Sequence, residues 1–202
     1  GVMSLPPENL PGTPLRRHIW QQVNLPALPA DPWSPPPSTT SPAVYVTTSP
    51  SWPDLGKWFW RLMASQHASD PAIRARVEKL TAGCTTDLER FEALSRWVSS
   101  TIRTVEWEFG IHGYKPHHAP TVFARGFGDC KDKANLLCVM AREAGVDAWP
   151  ALVRVRNILR HGGRGPDRHP LPMLETFNHC IVRATIGDRA YWADTTLRNR
   201  PV

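Results

Sequence analysis

The 202-residue chain has no run of apolar residues long enough to cross a bilayer, so no membrane-inserting helix is expected. Residues 1–20 lack the charged start and apolar middle of a signal peptide. A chain opening on "GVMSLPP" reads equally well as a cut within a longer one, which leaves localisation and export open. The four cysteines, Cys84, Cys130, Cys138 and Cys180, include no C-x-x-C pair, whereas structural zinc sites bring their ligands in close pairs. The neighbours His117-His118 and His179-Cys180 would point to opposite faces of a strand, where they cannot easily share one ion. No metal and no cofactor is therefore expected. Zinc-finger spacing, an RNP-like aromatic motif and a basic heptad region are also missing, and the arginines behind the net charge of +6 are spread along the chain. Nucleic acid is accordingly not an expected partner.

What is present is enough apolar residue, 41% of the chain, to bury a real core, in one domain preceded by an extended segment. Residues 1–50 hold much of the proline, in "LPPENLPGTPL", "LPALPADPW" and "SPPPSTTSP", and read as an extended arm or linker in which "HIWQQVNLPAL" and "AVYVTTS" could each add an edge strand. Residues 51–202 read as the catalytic domain. Ser51, Pro53 and Asp54 form a helix start before a stripe of Leu55, Trp58, Phe59 and Leu62. Asp70-Pro71 opens a second helix, and Thr86 with Glu89 makes a capping box for a third that carries Phe91, Leu94, Trp97, Val98 and Ile102 on one face. Residues 105–129 read as a loop. Beyond Gly145 the pattern turns to strands at 148–156, 177–185 and 189–194, with a long polar loop over 157–176.

The stretch "GFGDCKDKANLLCVM" places Cys130 at a helix start, with apolar Ala134, Leu137, Cys138 and Ala141 behind it at helical spacing. There the unpaired N–H groups and the positive end of the helix dipole favour a thiolate, the nucleophilic form of the side chain. If Gly187-Asp188 forms a two-residue hairpin turn, Ile186 faces Arg189 and Ile181 faces Asp194. His179, two residues before Ile181, then becomes a diagonal cross-strand neighbour of Asp194 within side-chain reach. A cysteine, a histidine and an aspartate so related can act as nucleophile, base and orienter. A satisfied strand histidine and a strand-end cap are the plainer alternatives for the last two. The Cys130 N–H is the candidate oxyanion donor, with Trp107 and Asn178 as further oxyanion or substrate-binding candidates. Asp129 reads as structural, and Lys131 and Lys133 as solvated surface lysines.

Together "GFGDCKDKANLL", "FNHCIV" and "YWADTT" resemble the bacterial transglutaminase-like superfamily in motif, order and spacing, over roughly residues 51–196. The resemblance implies a papain-like α+β fold, helices packed on an antiparallel β-sheet, with Cys130 as nucleophile, His179 as base and Asp194 as orienter. It implies a cysteine-nucleophile enzyme that cleaves or transfers an amide or peptide acyl group through a thioester, with a protein or peptide substrate. A peptide-binding module using the same groove without turnover is the alternative. "HIWQQVNLPALPADPW" followed by "SWPDL" also resembles the exit from a β-sandwich domain of unknown function that precedes the catalytic domain in many such proteins.

Overall fold

Capping side chains start the long helices. The computed structural model describes residues 3–24, 44–106, 110–155, 171–198 and 202, and within these residues 49–155 and 172–202 form one compact unit. Helix α1 (Trp52–Ala64) begins where the Ser51 hydroxyl accepts from the Asp54 N–H at 3.2 Å. Helix α2 (Pro71–Thr81) begins where Asp70 accepts from Ile73 N–H at 2.8 Å, and α3 (Asp87–Thr101) on the Thr86/Glu89 capping box. Each cap satisfies N–H groups that the helix itself leaves open, a contribution of about 1 kcal/mol. The buried stripe of α1 runs through Phe59 and Met63 rather than through Trp58, whose ring is partly exposed and meets Tyr114 edge-on.

The stretch 105–129 is more ordered than its composition suggests. It holds helix α4 (Ala119–Arg125), which buries Ala119 and Val122 and ends on Gly126 in the left-handed conformation at φ 71°. Pro120, unwelcome inside a helix, is tolerated here because it lies in the first turn. Two short strands, β5 (Arg103–Thr104) and β6 (Phe127–Gly128), pair in parallel and fasten the end of α3 to the approach to the central helix. That helix, α5 (Cys130–Glu143), is buried along most of its length. It stops at Gly145 (φ 82°), with the Gly145 and Val146 N–H groups returning to Arg142 and Ala141 carbonyls.

Three strands, β7 (Asp147–Val153), β8 (His179–Ile186) and β9 (Arg189–Ala193), form an antiparallel sheet in the order β7-β8-β9. Helix α5 packs on β7 and β8 on one side and against α3 and α4 on the other. Leu136, Leu137, Val139 and Met140 of α5 meet Val98, Ile102, Cys180 and Val182 in one hydrophobic core. Each large aliphatic side chain so buried contributes roughly 1.5–3 kcal/mol. The register has Ile186 opposite Arg189 and Val182 opposite Ala193, so the ladder steps next to Ile181 and Asp194 as the two-residue turn requires. This is the papain-like α+β arrangement expected.

The Pro-rich beginning folds back on itself instead of running extended over residues 3–21. Strand β1 (Met3–Ser4) pairs with β4 (Trp20–Gln21) and β2 (Glu8–Asn9) with β3 (Arg16–Arg17), closed by a turn at Gly12 (φ 72°). Its prolines sit between the paired segments and in the turn, where no ladder N–H is needed. Residues 44–49 of "AVYVTTS" form no strand. Most of the expected loop over 157–176 lies outside the described residues. Among the described residues no helix is long and apolar enough to cross a membrane, and no cluster of His, Cys, Asp and Glu could hold a metal ion.

Candidate active site

The position of Cys130 is built by the residues on either side of it. A side chain at Gly128 would place its Cβ 2.6 Å from the Asp132 Cβ, so only glycine lets the chain pass this close to the helix it is about to enter. Asp129 then caps α5 by accepting from the Asp132 N–H at 3.0 Å, and Asp132 returns the favour by accepting from the Asp129 N–H at 3.3 Å. Asp132, 1% exposed, also takes Arg125 Nη2 at 2.7 Å, the His117 N–H at 2.7 Å and His117 Nδ1 at 3.1 Å. One buried carboxylate thus ties the start of α5 to α4 and to the loop before it. A buried charge is tolerable only with this degree of pairing.

The two lysines beside Cys130 are not solvated, contrary to the expectation from sequence. Lys131 is 4% exposed and its ammonium lies 2.5 Å from Asp129 Oδ2. Lys133 is 1% exposed and donates to the Ile102 carbonyl at 2.7 Å and the Thr104 hydroxyl at 3.0 Å. Lys131 pairs with its near neighbour Asp129, whereas the acceptors of Lys133 come from a distant segment that the local sequence does not reveal. Deeper along α5, the Asn135 side chain donates to the Gln66 carbonyl at 3.0 Å and meets His67 Nδ1 at 2.9 Å, while Arg142 reaches His67 Nε2 at 3.1 Å. Burial holds His67 below its ordinary pKa, which suits a neutral ring that donates to Asn135 and accepts from Arg142. Sequence reasoning missed Asp132, His117, Arg125 and this second network; the D-x-x-D spacing of a capping box was the signal available for the first.

The three expected catalytic side chains come together. His179 Nε2 lies 2.8 Å from Asp194 Oδ2, and the Cys130 thiol is close enough to the His179 ring to act on its ionisation. With Nε2 committed to Asp194, Nδ1 is the nitrogen left for sulfur. The other Asp194 oxygen accepts from the Thr196 N–H at 2.9 Å and its hydroxyl at 2.6 Å, which fixes the carboxylate plane. Burial alone would raise the Asp194 pKa, but the bonds from His179 and Thr196 outweigh it and bring it down to about 2. The bond to Asp194 and then the nearby Cys130 outweigh burial at His179 and raise its pKa to about 10, so the imidazolium is the stable form. The other core thiols differ: burial pushes both Cys138 and Cys180 well up, into the inert range.

The remaining candidates divide. Trp107 lies outside the described residues. The Asn178 amide is spent on the backbone of Val155, accepting its N–H at 2.7 Å and donating to its carbonyl at 2.9 Å, so it extends the β7-β8 pairing by one residue. Two residues before His179, Phe177 forms one wall of an apolar groove of about 390 Å³ shared with Trp52, Leu55, Trp60, Trp149 and Leu152. Trp149 is 40% exposed there, and Leu152 pairs with Cys180 in the sheet.

The family model for the transglutaminase-like superfamily matches residues 74–192, more than half of the chain. The chain belongs to the transglutaminase-like superfamily. The match takes in Cys130 and His179 and stops just short of Asp194. Membership of the transglutaminase-like superfamily supports a cysteine-type enzyme in the broad sense. A crystal structure described as a "putative protease" from Parabacteroides distasonis superposes with a TM-score of 0.66 at 16% identity, covering 99% of this chain and 36% of that one. This chain therefore spans little more than a third of that protein's length, and the likeness concerns the fold. A "putative cysteine protease" from Cytophaga hutchinsonii gives a TM-score of 0.49 at 14% identity over 68% of this chain and 42% of that one. Comparison with curated protein sequences gives no match.

Proposed function

We propose that the protein is a cysteine-dependent hydrolase of peptide or amide bonds that works through a thioester on Cys130. The observation that carries the reading is His179 bonded to Asp194 and near the thiol at the start of a buried helix. In this mechanism His179 carries the proton and the sulfur attacks as a thiolate. The thiolate attacks the carbonyl carbon, forming the C–S bond, while the Cys130 N–H and the positive helix end stabilise the developing oxyanion. As the C–N bond breaks, His179 Nδ1 gives its proton to the leaving amine. Water, deprotonated by the same nitrogen, then attacks the thioester, releasing the acid and restoring the thiolate–imidazolium pair. Asp194 keeps the ring oriented and its charged form stable throughout.

The acyl donor in this reading is a protein or peptide whose bulky apolar side chain lies in the groove between Phe177 and Trp149. Edge and face contacts with tryptophan rings would hold such a side chain without demanding one sequence.

An activated ester of an aromatic N-acyl amino acid, mixed with the full chain and followed by intact-mass spectrometry, tests the reading. Acylation confined to Cys130, slowed strongly in His179→Ala and followed by release of free acid, is the expected result. Adding a primary amine separates the two fates, since amide formation in place of acid would assign acyl transfer. A peptide retained unchanged, with no acyl group on Cys130, would replace the enzyme reading with a binding module.

A further inference from the structure

We propose that Lys133 is a positioning residue for the Cys130 site: its buried ammonium clamps the first turn of α5 to β5 and keeps a positive charge one helical turn beyond Cys130. The inference rests on the reading of Cys130 as nucleophile.

The clamp follows from connectivity. Strand β6 leads directly through Asp129 into Cys130, and β5 lies beside it, with the Arg103 N–H on the Gly126 carbonyl at 2.9 Å and the Val105 N–H on the Gly128 carbonyl at 3.0 Å. Lys133, one helical turn beyond Cys130, closes the loop by donating to Ile102 and Thr104 at the head of β5. The start of α5 is therefore held both through its own chain and through this side chain. A leucine or methionine would fill the space more cheaply, since burying an ammonium costs several kcal/mol in general.

The charge follows from the partners. Among the described residues Lys133 donates to a carbonyl and a hydroxyl, both neutral, so its charge is not cancelled on the spot. Asp194 attracts it and Arg198 repels it from the segment after β9, Arg103 is the charged residue of β5, with its guanidinium over the Phe127 ring, and Cys130 lies on its own helix. Burial foremost, with Arg198, lowers its pKa to about 8 against the pull of Asp194. A positive charge here favours the thiolate and the Asp194 anion alike.

The test is the pH profile of iodoacetamide alkylation at Cys130 in the full chain, read by peptide mass spectrometry, for the wild type, Lys133→Gln and Lys133→Arg. Lys133→Gln keeps a donor and removes the charge, so its midpoint should move up by about half a pH unit or more, a factor of about three or more in thiolate at a given pH. Lys133→Arg should keep the wild-type midpoint. A folded Lys133→Gln with an unmoved midpoint, beside a wild type whose Cys130 is selectively reactive, overturns this inference and leaves the nucleophile reading standing. A wild-type Cys130 no more reactive than Cys84 overturns both. Should Lys133→Gln fail to fold by circular dichroism, Lys133→Arg decides: a wild-type midpoint supports the inference, and a folded variant whose Cys130 reacts like Cys84 contradicts it.

Discussion

The two halves of α5 are equally buried and chemically opposite. From Asp129 to Asn135 the helix hides carboxylates, ammonium groups and an amide, each with a partner, whereas from Leu136 to Ala141 it hides hydrocarbon and one thiol. Cys130 and Cys138 differ by little more than two turns. The first is partly accessible and lies by an imidazole; the second is sealed in the core with its ionisation suppressed by burial. Burial by itself thus silences a thiol, and a charged, hydrogen-bonded frame at a helix start is what keeps the other available. The polar half costs more to build and is retained where the chemistry is.

Substitutions at the two ends should separate these roles. The largest effect belongs to Cys130→Ser, which should lower turnover by on the order of 10⁴–10⁶-fold with the fold intact, measured as kcat/KM on the peptide ester. Asp132→Ala should cost about 3–5 kcal/mol in urea unfolding, because it strands Arg125 and the Asp129 and His117 N–H groups, and the folded fraction should also lose selective labelling of Cys130. Leu137→Ala should cost a comparable amount, about 2–5 kcal/mol, yet leave Cys130 labelling of the folded fraction unchanged. Equal loss of labelling in both variants would erase the distinction between the halves. Smallest is Cys138→Ala, at about 1 kcal/mol by the same unfolding assay and with no change in labelling.

The pH dependence sharpens the same contrast. His179 is raised from 6.5 to about 10, so its stabilising contribution is complete below 6.5 and is lost as pH rises through about 10. Asp194 is lowered from 3.8 to about 2, so its contribution is present above 3.8 and is lost as pH falls through about 2. Turnover should therefore fail on the alkaline side near 10, and Asp194→Asn should bring that limb down towards the ordinary imidazole range. An alkaline limb indifferent to Asp194→Asn would detach Asp194 from the site.

The parts of this site that sequence reveals are those fixed by short-range rules. A two-residue turn at Gly187-Asp188 sets the parity of the β8-β9 ladder, so His179 and Asp194 had to fall on one face, and the helix start at Cys130 was announced by its apolar spacing. Caps at Ser51, Asp70 and Thr86 were legible for the same reason. Helix α4 was hidden because it is under two turns long and opens among His and Pro, and without it Arg125 had no visible route to Asp132. The burial of Lys133 was equally invisible, since its acceptors on Ile102 and Thr104 reach it only when β5 meets β6. The hairpin of residues 3–21 was obscured by prolines that interrupt its pairing without preventing it.

The most direct test of the central claim is cysteine-by-cysteine alkylation of the wild type and His179→Ala across pH. The account predicts that Cys130 alone reacts well below the roughly 8.5 of a free thiol, and that His179→Ala abolishes this. A Cys130 that follows the free-thiol profile in both proteins would contradict it.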